Sequence, residues 1–273
     1  MAVFAPTNST HLPLTLSNDS REATEEAEFS SAMKILLVVY YSIIFLFAGV
    51  GNTIAIFTCY RNYRGSTSVV LCFIASLAAA DLLFTLLTTF DLAYFLTGSW
   101  VGGAVTCKAQ NFLIETTYMV SVLTLVAISH ERVRSVSRKQ LVRSVSKKRK
   151  FVIGGIWVSS ALTCSPLLYA AITKLDPDSK SDLLCVNTAW GDIGRQIYYT
   201  VRVTLLFIPS LAFMIWAHWK IFQALRSHVI SSRKSFKNSL EGSTQRRITK
   251  MLAIVTVVFV ICYIPFAFVR TLR

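Results

Sequence analysis

The chain has 273 residues, of which 53% are hydrophobic and 15% charged, and it carries a formal net charge of +14. A composition this apolar excludes an ordinary soluble domain, which needs a larger charged shell. The basic residues are gathered in a few loops, a distribution that argues against nucleic-acid binding and for a membrane protein with two distinct faces.

The first 33 residues form an acidic segment without the apolar core that a cleavable signal peptide needs. We therefore expect residues 1–33 to be a disordered extracellular tail, and we expect the first membrane span to act as the insertion signal. N-glycosylation sequons begin at Asn8 and Asn18. Sugar acceptors at these positions agree with an outer location of the tail.

Six apolar runs follow the tail, and each exceeds the roughly 20 residues needed to cross a bilayer. They occupy about 35–60, 67–96, 108–130, 151–173, 197–224 and 249–270. The backbone cannot stay unpaired in lipid, and runs this long are too extended for barrel strands, so the spans are predicted to be helices. Short connections make neighbouring helices antiparallel. The predicted fold of residues 34–273 is an all-α transmembrane helix bundle.

The connecting segments differ in charge according to the side on which they fall. The loops after spans 1, 3 and 5 are rich in Lys and Arg, whereas the tail and the loop after span 4 are acidic or mixed. Because basic loops remain in the cytoplasm, the N-terminus is predicted to be extracellular. The same loops are expected to attract anionic lipid headgroups.

The third span carries a marker for each membrane face. Arg132 lies 25 residues after Cys107, a separation of roughly 37 Å on a helix, slightly more than the apolar core of a bilayer. Cys107 therefore marks the outer face, and Cys185 lies in the next outer loop. Disulfides persist on that oxidising side, so we predict a bridge between Cys107 and Cys185.

A charged residue inside an apolar run is costly unless it has a partner or faces a cavity. Asp81 is near the middle of span 2, and Asp91, Glu115 and Arg202 lie in the outer half of the membrane region. Two interpretations of the outer three are open. Glu115 and Arg202 form a structural ion pair, or at least one of the three contacts a ligand.

Several motifs occur in a fixed order along the spans. They are Gly51-Asn52, the segment 77–81 ending in Asp81, Trp100 before Cys107, Glu131-Arg132-Val133, Trp157, Pro166, Pro209, Phe259, and the segment 262–266 with Tyr263, Pro265 and Phe266. In this order and register the chain resembles a rhodopsin-like (class A) G-protein-coupled receptor, over about residues 35–273. The resemblance implies a bundle with six of the usual seven helices.

The resemblance assigns a switch to the inner end of span 3. It implies that Arg132 pairs with Glu131 at rest and turns toward a heterotrimeric G protein when the helices shift. A snorkelling interfacial arginine is the alternative. Leu141, an apolar residue in the basic inner loop, is expected to anchor that loop on the G protein. The family's acidic partner near the base of span 6 is replaced by Gln245 and Arg246, so we expect no ionic lock between spans 3 and 6.

The resemblance also implies a ligand pocket at the outer end, formed by Asp91, Glu115, Arg202, Tyr263 and Phe266. We favour Arg202 slightly as the residue that contacts the ligand. Tyr263 stands where the family usually has a tryptophan. Ile114 stands where amine receptors have an aspartate, so a monoamine ligand is not expected. The segment 117–132 is similar to neuropeptide receptors, which favours a peptide ligand.

Two further sets of residues are implied below the pocket. Val122, Pro209 and Phe259 resemble the packing relay that links the pocket to the cytoplasmic side. Asn52, Asp81 and Ser121 resemble a sodium site, with a protonated Asp81 hydrogen-bonded to Asn52 as the alternative. We expect no other cofactor.

The chain ends at Arg273, and we expect it to be a partial gene product or a truncated splice form of a seven-span receptor. The alternative is a non-signalling six-span form that modulates full-length receptors. A channel or transporter is disfavoured because we find no inverted repeat or pore loop. No catalytic triad, metal cluster or phosphate-binding loop suggests an enzyme. The expected location is the plasma membrane, crossed several times.

Overall fold

The computed structural model describes residues 14–63, 69–137, 146–175, 182–231, 250, 253–258 and 261, with side chains described within 31–61, 70–135, 150–175, 182–224 and the positions from 250 onward. Its helices and strands are α1 (Leu14–Tyr63), α2 (Val69–Thr97), α3 (Gly103–Ser137), α4 (Ser146–Cys164), α5 (Leu167–Ala170), β1 (Ile172–Leu175), β2 (Leu183–Val186), α6 (Gly191–Arg202), a π-helical turn (Val203–Phe207) and α7 (Ile208–Ser231). Residues 253–258 are also helical.

Five stretches of the described chain are long and apolar enough to cross a membrane. They are Ser31–Arg61, Val70–Thr97, Gly103–Ser135, Lys150–Ala170 and Gly191–Ala224. These stretches overlap the first five predicted spans and confirm the all-α membrane fold. Most of the sixth predicted span, 249–270, lies outside the described residues.

The first helix begins earlier than predicted. The tail predicted to be disordered through residue 33 is helical from Leu14 onward, and residues 1–13 lie outside the described residues. The segment 22–28 consists of Ala and Glu apart from one Thr, and Ala and Glu are good helix formers. A helix nucleated in the first span extends through them without a second nucleation cost. The chain forms two compact units, Met1–Phe47 and Ala48–Arg273.

In the second unit, α3 is the central helix. Residues 114–122 are all buried, and α3 packs against α2, α4 and α7. A helix enclosed on every side belongs in the interior of a bundle. α3 therefore provides the frame on which the neighbouring helices position their polar side chains.

The fourth span is attached to both of its neighbours and ends at a proline. Trp157 Nε1 donates a hydrogen bond to Ser76 Oγ of α2 at 3.1 Å. Pro166 follows the end of α4 and caps the short helix α5, where proline's lack of an N–H is tolerated. Cys164 and Leu167 at this junction are fully buried and cluster with Met119 of α3.

The fifth span contains an irregular turn. The π-helical turn Val203–Phe207 joins α6 to α7. Pro209 is the second residue of α7. Proline has no N–H and its ring clashes with the carbonyl four residues earlier in a regular helix. A wider turn at this point accommodates that conflict within a continuous span.

Candidate functional site

A β-hairpin lies at the outer end of the bundle and is tied to α3. β1 and β2 pair antiparallel, with Thr173 opposite Cys185. Cys107 and Cys185 form a disulfide with a Cα–Cα separation of 5.7 Å, which confirms the predicted bridge. Asn111 Nδ2 donates to the Cys107 carbonyl at 3.0 Å and lies 3.3 Å from Cys185 Sγ. The hairpin is thus fixed to the outermost turns of α3.

The first outer loop supports the same hairpin through a buried tryptophan. The Trp100 backbone N–H donates to the Leu183 carbonyl at 2.6 Å, and its indole Nε1 donates to the Gly103 carbonyl at 2.9 Å. The Trp100 ring packs edge-to-face on Tyr94 of α2 at 6.2 Å between centroids. These contacts make one rigid outer layer from α2, α3 and β2.

Beneath that layer, Asp91 of α2 faces Gln110 of α3. Gln110 Nε2 donates to both Asp91 carboxylate oxygens at 3.0 Å. Gln110 is buried, whereas Asp91 is exposed. The sequence interpretation selected Asp91 and overlooked Gln110. The signal that could have identified Gln110 is its position as a polar residue one turn inside Cys107 in an apolar span.

Deeper in the bundle, Glu115 and Arg202 form a buried ion pair. Arg202 Nη1 lies 2.6 Å from Glu115 Oε2, and Nη2 donates to the Glu115 carbonyl at 3.1 Å. The sequence left open whether Glu115 and Arg202 form a structural ion pair or whether one of the outer charged residues contacts a ligand. The short distance and deep burial support the structural ion pair. The Arg202 guanidinium also lies 5.8 Å from the ring centroid of Tyr118, a residue that the sequence interpretation missed.

Tyr118 connects this pair to an apolar cluster. Tyr118, Val122 and Phe207 pack together, with Phe84, Val203 and Leu211 around them. Val122 therefore belongs to a packed contact between α3 and the fifth span, as the relay predicts. Pro209 is exposed and adjoins the π-helical turn, and Phe259 lies outside the described residues.

In the middle of the membrane region, Asp81 contacts Ser121. Ser121 Oγ donates to Asp81 Oδ1 at 2.7 Å, so the structure brings together two of the three predicted sodium ligands. Asn52 is half-buried on α1. Carboxylate and hydroxyl oxygens are donors that suit hard cations. The donor chemistry at Asp81 therefore fits a sodium ion.

At the inner end of α3, Glu131 and Arg132 are both half-buried. Glu131 Oε1 lies 3.8 Å from His130 Nδ1. The pairing of Glu131 with Arg132 stays a prediction.

A further polar contact joins α7 to the helical segment 253–258. His218 Nε2 of α7 lies 3.1 Å from Thr256 Oγ1. The sequence interpretation missed this contact.

Several predicted site residues are not described. The residues outside the described part of the chain include Leu141, Tyr263, Phe266 and Asn8. The backbone of Asn18 is described, but its side chain is not. Their roles in G-protein contact, ligand binding and glycosylation stay predictions.

A family model described as "7 transmembrane receptor (rhodopsin family)" matches residues 51–273. The neuropeptide Y receptor type 2 of Mus musculus is 30% identical over 242 residues, which cover 85% of this chain and 62% of that receptor. The Bos taurus receptor of the same name is 28% identical over 269 residues, covering 96% and 68%. A QRFP-like peptide receptor of Branchiostoma floridae is 27% identical over 246 residues, covering 88% and 64%. The chain spans less than two thirds of the length of the mouse receptor.

Proposed function

The chain belongs to the rhodopsin family of seven-transmembrane receptors, and we propose from this that it binds an extracellular peptide and activates a heterotrimeric G protein. The family consists of multi-pass plasma-membrane receptors, and the chain is not an enzyme. Its named relatives are receptors for neuropeptide Y and for a QRFP-like peptide. Those names support a peptide as the ligand class.

The observation that carries the proposal is the β1–β2 hairpin, which is bound covalently to α3 and lies near polar side chains at the outer end of the bundle. The Cys107–Cys185 disulfide anchors β2, and the Asp91–Gln110 pair lies in the outer part of α2 and α3. A pre-ordered hairpin loses little conformational entropy when a ligand binds. Its backbone and the polar groups below it offer hydrogen bonds of the kind that an extended peptide uses.

The route from ligand to cytoplasm in this proposal passes through Tyr118. Its ring contacts the Arg202 guanidinium on one side and the Val122–Phe207 packing on the other. Packed cores switch between discrete arrangements rather than deforming continuously. A ligand that shifts the fifth span therefore repacks this cluster.

The output step uses the inner end of α3. Repacking opens a cytoplasmic cavity next to Arg132, into which a G-protein helix inserts as a helix-in-groove contact. Leu141 anchors the basic loop after span 3 on the G protein. Asp81 and Ser121, with Asn52 as a third ligand, would hold a sodium ion, whose positive charge would stabilise the resting arrangement.

The proposal is tested with cells that express the receptor and a peptide panel that includes neuropeptide Y and a QRFP-like peptide. At least one peptide is expected to bind saturably and to stimulate guanine-nucleotide exchange on a G protein. Untransfected cells provide the control for both readouts. Saturable binding without exchange would refute the coupling step, and a panel without any binder would refute the choice of a peptide ligand.

A further inference from the structure

We infer that Asn187 is a positioning residue whose hydrogen bond to Tyr199 transmits peptide binding at the β1–β2 hairpin to the fifth span; the inference rests on the proposed peptide-receptor function. Asn187 directly follows β2, which ends at Val186, and lies two residues after Cys185. Its Nδ2 donates to the Tyr199 hydroxyl oxygen of α6 at 2.8 Å. The hairpin is therefore joined to α3 by the disulfide and to α6 by this hydrogen bond.

The bond between Asn187 and Tyr199 is shielded from water. Asn187 is 7% exposed and Tyr199 is 5% exposed. Because both groups are buried, water cannot replace either partner when the bond breaks, and the lost bond is costly. The two side chains are therefore expected to move together. Within the described part of the chain, Asn187 Oδ1 has no hydrogen-bond partner, so truncation of Asn187 breaks no second bond at that atom.

The backbone route from the hairpin to α6 is anchored to another element. Residues 187–190 connect β2 to α6. The Ala189 N–H donates to the Ala170 carbonyl at 3.1 Å, and Ala170 is the last residue of the fourth span. A displacement that travels along the backbone is therefore resisted at Ala189. The Asn187 side chain precedes this anchor and reaches α6 directly.

Tyr199 passes a displacement on to the contacts with α3. Tyr199 and Arg202 are the two buried residues of α6, a helix that the structure describes completely. They are three positions apart, so they lie on one face of the helix, one turn from each other. Arg202 is paired with Glu115 and lies over the Tyr118 ring. A shift received at Tyr199 therefore reaches the apolar cluster around Tyr118 through Arg202.

This role has a specific thermodynamic consequence. A bond that couples the peptide site to the G-protein site raises the affinity for each partner, when the other is bound, by the same factor. Loss of one hydrogen bond should lower that coupling factor about fivefold. The affinity for the peptide without G protein should stay within a few-fold, because the hairpin and its disulfide are unchanged. A purely structural residue would not separate these two quantities.

The inference is tested with neuropeptide Y, or with the QRFP-like peptide if that one activates the receptor, at matched surface expression. Peptide affinity is measured with the G protein bound and again after excess GTP has released it, and the ratio gives the coupling factor. Asn187→Ala and Tyr199→Phe should each lower this factor and the maximal nucleotide exchange. The double variant should fall no further than the lower of the two single variants, because both changes remove the same bond.

Lys174→Met is the matched control. Lys174 Nζ donates to Thr188 Oγ1 at 3.1 Å, a bond of the same outer segment that does not reach α6, so its loss should leave the coupling factor unchanged. If Asn187→Ala does not reach the cell surface, Tyr199→Phe, which removes one oxygen atom, carries the test.

Three results would overturn the inference while the proposed function stands. They are an unchanged coupling factor in Tyr199→Phe, effects that multiply in the double variant, and a loss of affinity in excess GTP as large as the loss of coupling. The last result would make Asn187 a peptide contact instead of a positioning residue. A receptor that binds neither peptide would overturn the proposed function and this inference with it.

Discussion

Arg202 and Glu115 connect the fifth span to α3 immediately before the π-helical turn, with Nη1 and Oε2 2.6 Å apart. Their side chains are 4% and 3% exposed, so both charges have been removed from water. The guanidinium also donates to the Glu115 backbone carbonyl. This second bond fixes the arginine to the backbone of α3 as well as to a side chain.

Loss of either partner should destabilise the receptor. Arg202→Gln or Glu115→Gln leaves one buried charge uncompensated, a cost of about 3–5 kcal/mol. The expected results are a lower melting temperature in detergent and reduced surface expression. The double variant Arg202→Met with Glu115→Met should recover much of the loss, because an apolar pair replaces both charges. Normal expression of both single variants together with altered peptide potency would instead assign the pair to ligand contact.

Loss of the outer disulfide should also destabilise the receptor. Cys107→Ser or Cys185→Ser frees the hairpin and removes a constraint worth about 2–4 kcal/mol. Both variants should bind peptide more weakly and reach the cell surface less. Cys72→Ser, at a thiol of α2 that is not in a disulfide, serves as the control. Free thiols at 107 and 185 in receptor labelled on living cells would contradict the bridge.

Sodium should stabilise the receptor through Asp81. At constant ionic strength, exchange of a large organic cation for sodium should raise the melting temperature, since a ligand that binds only the folded state stabilises it. Asp81→Asn should abolish the response, and Ser121→Ala should reduce it. Thr85→Ala is the control, because its hydroxyl donates to the Asp81 backbone rather than to the carboxylate. An equal response in the Asp81→Asn variant would exclude this site.

The output mechanism depends on Arg132. Arg132→Ala should abolish peptide-stimulated nucleotide exchange, while peptide affinity stays within a few-fold of the unmodified receptor. Arg134→Ala is the matched control, because a residue two positions along a helix points to a different side. Normal exchange in the Arg132→Ala variant would reduce this arginine to an anchor at the membrane interface.

The helical membrane fold follows directly from the sequence. Long apolar runs determine helices because lipid provides no partners for backbone polar groups, and five such helices overlap the predicted spans. The bridge was predictable for a related reason, since topology put Cys107 and Cys185 on one oxidising face. The start of α1 was not predicted correctly. The acidic composition of the tail suggested disorder, whereas Ala and Glu are good helix formers that extend the helix of the first span.

Hydropathy and charge act within each segment, so the amino-acid sequence is enough to predict which segments cross the membrane and on which face the cysteines lie. The pairing of the polar residues depends instead on how the helices pack. Glu115 and Arg202 are 87 positions apart, and their pairing depends on helix rotation and on the π-helical turn before Pro209. The pairing of Gln110 with Asp91 likewise depends on the packing of α2 against α3. A sequence shows that a buried charge needs a partner, but the distances between helices select that partner.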